Sequence, residues 1–222
     1  MELYYNVLST YSQKVLLALY EKNVAFDRKI VQLMDSAGRA AYEALYPIGK
    51  IPLLKPKPDH MVPESTIIVE YLEGHHPGGT QLIPDGIDAA RQVRFMDRMS
   101  DFYLNDPVAN LFFSSMKPED KRDQDAIAKY RKHLTITYQH LNERLAKQPF
   151  MCGEAFTLAD CATIPPLFYA QFLFPYAEHA NIVAYYERAK QRASYQKVLE
   201  ELLPAWEGMQ KQTCRLPVAG MV

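Results

Sequence analysis

Residues 8–15 read LSTYSQKV and place four hydroxyl side chains, Ser9, Thr10, Tyr11 and Ser12, just before a run with helical apolar spacing. A hydroxyl at a helix start has two uses. Its oxygen caps an unpaired backbone N–H, or its proton is donated to an anion held there. Two further segments have the same character. In PES, residues 63–65, Ser65 opens a helical run, where a hydroxyl and free N–H groups form a socket for a carboxylate or simply cap the helix. In GKIPLL, residues 49–54, Lys50 offers a compact cation on a flexible stem beside an extended run that contains Pro52. The cysteines Cys152, Cys161 and Cys214 lie in the C-terminal third, are odd in number and show no C-x-x-C spacing. They read as reduced, buried or incidental thiols, so chemistry at residues 9–12 cannot draw on a protein thiolate. The adjacent His75 and His76 have no third partner in the pattern and read as a solvated helix end, not a metal site.

These segments need elements to hold them. ELYYNV (2–7) alternates as a strand, YSQKVLLALYEKN (11–23) places Val15, Leu16, Leu19 and Tyr20 on one helical face, and AFDRKIVQL (25–33) returns to strand alternation. That is a βαβ unit. AGRAAYEALYP (37–47) reads as a second helix ending before Pro47 and Gly49, and IPLLK (51–55) and HMVP (60–63), separated by PKPD, read as a hairpin. ESTIIVEYLEGHH (64–76) is a third helix that stops at PGG, where a linker of about ten residues begins.

Beyond the linker the period becomes helical throughout, over 87–113, 118–145, 181–192 and 194–211. TLAD (157–160) reads as a capping box flanked by a Phe156 and Cys161 staple, so Asp160 is a folding signal before it is a catalytic acid. The most apolar stretch, CATIPPLFYAQFLFPYA (161–177), carries Pro165, Pro166, Pro175 and Gln171 and fits a buried helix better than a membrane span. The last residues, TCRLPVAGMV (213–222), show no periodicity and read as coil.

The 222 residues are 48% hydrophobic and carry 25 basic and 26 acidic side chains, a net charge of −1. That length supports one large domain or two modest ones. The balance excludes the basic field of a general nucleic-acid or membrane-surface binder and favours a small molecule or a protein as partner. No basic n-region or apolar h-region opens the chain, so a cytoplasmic location is expected.

In combination, LSTYSQKV, GKIP, PES and FTLAD at these separations resemble the cytosolic glutathione S-transferases over essentially the whole chain. The likeness is nearest to the serine-using theta-, tau- and zeta-like classes and their bacterial relatives. It implies an α/β plus all-α fold: a thioredoxin-like βαβαββα domain over 1–76, a linker over 77–86, and an all-helical domain over 87–222. It also implies a homodimer, glutathione as co-substrate with no other cofactor, and transfer of the thiolate to a small hydrophobic electrophile.

Residue roles follow from the same likeness. Aligning Val15 with the valine of the S-x-x-x-x-x-V segment puts Ser9 at the thiolate-donor position. Ser65 and Glu64 would hold the γ-glutamyl carboxylate and amine. Pro52 would be a cis proline that turns the Ile51 backbone outward as a strand edge for the cysteinyl unit. Lys50, with Arg39 as a weaker candidate, would face the glycyl carboxylate. Leu8, Tyr11, Tyr103, Phe112, Phe113 and Tyr169 would wall the electrophile pocket, and Ser12 would cap or meet solvent. A free thiol ionises near ~8.5, so a dominant thiolate near pH 7 requires a downward shift of ~2 units, worth ~2.7 kcal/mol. One charge-assisted hydrogen bond supplies ~1.5–3 kcal/mol and a helix N-terminus ~0.3–1 kcal/mol, which together suffice.

Two departures stand out: Tyr46 occupies the usual asparagine of N-P-x-G-K, and Thr10 a place often held by proline. Two other functions share this fold. One is a non-catalytic binding protein similar to the stringent-starvation proteins that associate with RNA polymerase. The other is a glutathione-dependent isomerase of the zeta-like kind, whose motif cysteine is Tyr11 here.

Overall fold

The computed structural model describes residues 1–32 and 35–213. Leu33, at the end of the expected second strand, and Cys214 with the expected coil that follows it lie outside the described residues; Thr213 closes a helix instead. The N-terminal half runs β1 (Glu2–Tyr5), α1 (Thr10–Glu21), β2 (Asp27–Ile30), α2 (Ser36–Leu45), β3 (Leu53–Lys57), β4 (His60–Pro63) and α3 (Ser65–His75). The sheet order is β2-β1-β3-β4, with β1 parallel to β2 and antiparallel to β3, and β3 antiparallel to β4. Alternation explains β1, whose Leu3 and Tyr5 are fully buried between polar neighbours. β2 is the exposed edge, stretched along β1 through Glu2↔Asp27 to Tyr5↔Ile30.

Helix α1 departs from the one-faced pattern of its sequence. Ser12, Gln13, Lys14 and every residue from Val15 to Leu19 are buried, because the helix packs against α3 and β1's layer on one side and against the helices of the second half on the other. The second face mixes the apolar Leu17 and Ala18 with the buried Lys14 and Glu21, whose charges are met by partners from other elements.

The second half begins with α4 (Ile87–Met99), continues without a break through a π-helical segment (Ser100–Asn105) and ends as α5 (Asp106–Ser115). The sequence reads as one regular helix over 87–113. The difference has a cause in Pro107, which lacks an N–H and whose ring would crowd the carbonyl four residues back. Widening the preceding turn relieves that contact, and Asp106 donates its N–H to the Asp101 carbonyl five residues earlier. Helix α6 (Gln124–Leu145) starts later than the expected Pro118, at an Asp123 N-cap whose carboxylate accepts the Ala126 N–H at 2.9 Å. Helices α7 (Leu158–Leu173), α8 (Ala180–Lys190) and α9 (Ala193–Thr213) complete the bundle.

The TLAD segment forms the expected capping box at α7. Asp160 is fully buried and accepts from Met151 N–H and Thr157 N–H, each at 2.8 Å, and from the Tyr185 hydroxyl at 2.9 Å. Burial pushes its carboxyl up to about 6 even against those donors. Pro165 and Pro166 lie inside α7, which is buried on all sides from Leu158 to Ala170. No helix of the described residues is long and apolar enough to cross a membrane.

The halves are fastened at the C-terminal end of α1. Glu21, 8% exposed, receives Arg192 Nε and Nη2 at 2.5 and 2.7 Å, the Thr80 hydroxyl at 2.6 Å and the Ser194 hydroxyl. Three elements therefore close on one carboxylate: α1, the linker after α3, and the start of α9. Gly79 makes the linker's approach possible. Its φ is +72°, and a Cβ there would lie 2.4 Å from the Glu21 carbonyl oxygen.

This carboxylate sets an acid sensitivity. Burial favours its neutral form, but the bonds from Arg192, Ser194 and Thr80 prevail and hold its pKa below the usual carboxylate value. Stability from a depressed pKa is complete above the unfolded value near ~4.3 and is lost as pH falls through the folded one. Glu21→Gln should therefore lower unfolding stability at pH 7 by about 2 kcal/mol and flatten the loss of stability below pH ~4.3. Urea midpoints of both proteins across pH check this, and parallel acid limbs would refute it.

Candidate functional site

A cavity of about 410 Å³ opens between the two halves. Tyr11 of α1 lines it, with Tyr46, Lys50, Ile51 and Pro52 from the segment between α2 and β3, and Glu64 and Ser65 at the start of α3. The opposite wall is Arg98, Asp101, Phe102 and Asp106, on α4, the π segment and α5.

Local chemistry explains each position. The Ile51–Pro52 peptide is cis, as expected, and turns the chain into β3. The segment is pinned by the buried Tyr42, whose hydroxyl donates to the Lys50 carbonyl at 2.7 Å. Gly49, with φ +66°, closes the preceding turn by donating to the Tyr46 carbonyl at 2.8 Å. Tyr46 thus serves the turn through its backbone and the cavity wall through its ring. Glu64 has φ +68° and ψ 121°, a strained conformation for a side-chain-bearing residue of the kind that concentrates at ligand sites. As N-cap of α3 it makes no side-chain capping bond, so the N–H groups of the first turn are not consumed by it. Ser65, 5% exposed, is the first helical residue.

The four hydroxyls of the first loop separate clearly. Ser9 is the N-cap of α1: its Oγ accepts the Ser12 N–H at 3.3 Å, and its own N–H donates to the Asn6 carbonyl at 2.9 Å. Accepting uses a lone pair and leaves the Oγ proton available. Ser12 is fully buried with its Oγ 3.4 Å from the Asn6 N–H, so it is a loop fastener and not a solvent contact. Tyr11 lines the cavity, and burial raises its pKa. Thr10 is the first helical residue, half-buried. Ser9 is half-buried two residues before Tyr11 and is not itself among the cavity's wall residues.

Beneath the cavity floor lies a cluster that sequence reasoning missed. Lys14, 1% exposed, forms ion pairs with Asp97 and, at 3.1 Å, with Asp101. Thr66, next to Ser65, accepts from Lys14 Nζ at 2.9 Å and from Arg98 Nη2 at 2.9 Å and donates to Asp97 Oδ2 at 2.9 Å. Arg98 also pairs with Asp101 at 2.5 Å. Burial raises the Asp101 carboxyl, opposed by Lys14 and Arg98. The available signal was the spacing of Arg98, Phe102 and Asp106 at i, i+4 and i+8, with Asp101 at i+3, which marks one helical stripe.

The structure brings together Tyr11, Lys50, Ile51, Pro52, Glu64 and Ser65 of the expected site, and leaves other members elsewhere. Arg39, on α2, pairs with Glu43 at 3.9 Å and does not line the cavity. Tyr103 and Phe113 are 48% and 59% exposed and are not among the cavity's wall residues. Phe112 packs its ring 5.8 Å from Tyr169 and 6.2 Å from Trp206, as part of the core. Leu8 rests half-buried on that core, and Tyr169 is buried with its hydroxyl on the Leu8 carbonyl. The wall facing Tyr11 is consequently more polar than expected, because charged residues of the stripe replace the aromatic ones. Cys161 is buried and Cys152 half-buried, and burial pushes both thiols up, in keeping with inert cysteines. His75 stacks on Tyr71 at 3.9 Å, and among the described residues no group of three or more His, Cys, Asp or Glu could hold a metal ion.

Comparison with known proteins places this architecture. The family model described as glutathione S-transferase, N-terminal domain, matches residues 3–80, and the corresponding C-terminal domain model matches 124–188. Glutathione S-transferase F6 of Arabidopsis thaliana is 31% identical over 206 residues, covering 86% of this chain and 95% of that protein. Glutathione S-transferase GstB of Escherichia coli is 27% identical over 201 residues, 86% of this chain and 93% of its own. The crystal structure of a glutathione S-transferase from Methylobacillus flagellatus with GSH bound superposes with a TM-score of 0.80 at 28% identity, covering 89% of this chain and 98% of that one. With both domain models matched and a relative 31% identical over 86% of the chain, the chain belongs to the glutathione S-transferase family.

Proposed function

We propose that this chain binds glutathione in the interdomain cavity and activates its thiol through the Ser9 hydroxyl, in the manner of the serine-type classes, for attack on an electrophilic carbon. The observation that carries the reading is the state of Ser9. It caps α1 through a lone pair, so its proton remains to be donated to a thiolate at the positive end of the same helix. Ser65 and the first-turn N–H groups of α3 supply the anion socket for the γ-glutamyl carboxylate, with Glu64 for the amine. The Ile51 backbone at the cis Pro52 supplies a strand edge, and Lys50 a point charge for the glycyl carboxylate. No further cofactor enters this scheme. Deprotonation and attack proceed with the thiol proton leaving to solvent, the new C–S bond forming as the leaving group departs or as an activated double bond takes up the electron pair.

Tyr11, Phe102 and the charged stripe beside them form the second-substrate side. A small electrophile with one apolar face and a polar group suits these walls better than a purely hydrophobic one. The relatives named above are transferases, and no residue of the cavity favours the RNA polymerase-associated or isomerase alternative.

Ser9→Ala should lower kcat by about 10- to 100-fold at pH 7, the loss of one charge-assisted hydrogen bond. The bound thiol should then ionise at higher pH, moving toward the free value near ~8.5. Ultraviolet absorbance of the thiolate across pH, and turnover with a chlorodinitrobenzene as electrophile, read both effects. Unchanged absorbance and turnover would remove Ser9 from the mechanism. Lys50→Ala and Ser65→Ala should act on binding instead, raising KM for glutathione about tenfold each, and calorimetry with glutathione checks this directly.

A homodimer completes the proposal. Met61 of β4, Ile67 of α3 and Phe95 of α4 are exposed apolar side chains that a second copy would cover. Sedimentation should give twice the mass of one chain, and a stable monomer at micromolar concentration would exclude it.

A further inference from the structure

The hydroxyl of Tyr169, on α7, donates to the Leu8 carbonyl at 2.7 Å across 161 positions of sequence. That carbonyl belongs to the peptide unit joining Leu8 to Ser9. The same unit's N–H, on Ser9, donates to the Asn6 carbonyl at 2.9 Å. A peptide unit is planar, so bonds at both of its poles fix the orientation of the plane, and with it the axis from which the Ser9 side chain departs. Tyr169 is itself held. Gln13 Nε2 lies 3.5 Å from its oxygen and donates to the Val7 carbonyl at 2.8 Å, while its ring packs on Trp206 with centroids 5.3 Å apart. Burial raises the phenol's pKa, so it stays protonated and remains a donor.

We propose that Tyr169 is a positioning residue for Ser9: a phenol supplied by the helical half clamps the Leu8–Ser9 peptide and so aims the Ser9 hydroxyl. The inference rests on Ser9 as thiolate donor. It assigns Tyr169 an action through the loop and not through contact with the electrophile. Without the clamp the Leu8 carbonyl loses its partner, and the loop turns to find another.

Tyr169→Phe removes the hydroxyl and keeps the ring packing. In the full-length protein, kcat with a chlorodinitrobenzene should fall about tenfold and the midpoint of glutathione thiol ionisation should rise by about one pH unit, with KM for glutathione unchanged. Ile182→Val, a core change on α8 remote from the loop, should leave midpoint and kcat at wild-type values. A Tyr169→Phe protein with the wild-type midpoint and kcat overturns the inference, as does a rise in KM equal to the fall in kcat. If Tyr169→Phe fails to fold, Gln13→Leu, which removes the donors to Tyr169 and Val7, should shift the midpoint the same way, and a wild-type midpoint there is equally fatal. A wild-type protein that does not lower the thiol midpoint overturns the Ser9 reading and this inference together. A lowered wild-type midpoint unaffected by the substitutions overturns this inference alone.

Discussion

A lysine ammonium sealed from water holds the parts of this molecule in register. Lys14 sits on α1 between two aspartates of the helical half and the Thr66 hydroxyl of α3. Burying an ion costs several kcal/mol, which its partners recover only when their geometry is well satisfied. Such a cluster tolerates one arrangement of the three elements and penalises the rest. The consequence is positional. Ser9 and Tyr11 belong to the helix that carries Lys14, Ser65 is the neighbour of Thr66, and Asp101 is at once a partner of Lys14 and a wall of the cavity.

The π segment belongs to the same constraint. Asp97 and Asp101 both reach Lys14, while Phe102 and Asp106 reach the cavity. Widening the helix ahead of Pro107 lets one continuous rod serve a buried charge cluster and an open cleft. Glu21 performs a parallel task at the far end of α1, closing the linker and α9 onto the first domain. Helix α1 is therefore the axle of the structure, anchored by an ion cluster near its start and by a carboxylate at its end. That explains why its second face carries the buried charges Lys14 and Glu21 beside Leu17 and Ala18.

Much of this was legible in the chain. The strand and helix order through residue 76 followed from changes of period, the hairpin from PKPD, and the α7 start from TLAD, because each is decided by side chains within a few residues of one another. The cis Pro52, the helix opening at Ser65 and the start of α1 beside Ser9 were readable because local motifs at fixed separations carry them. The wall that α4 and α5 give the cavity was not. Tyr103, Phe112, Phe113 and Tyr169 are aromatic residues at helical spacing, and nothing local distinguishes a ring that packs on Trp206 from one that faces a cleft.

What the sequence determined by itself was the set of elements, their order and the sites where helices begin, since capping, turn chemistry and apolar periodicity act over a handful of residues. Which buried face of α1 would carry charge, which stripe of α4 and α5 would face the cavity, and which distant phenol would reach the Leu8 carbonyl were decided by tertiary structure alone. Those outcomes depend on contacts between residues tens to more than a hundred positions apart, and on a helix phase that the turn before Pro107 resets.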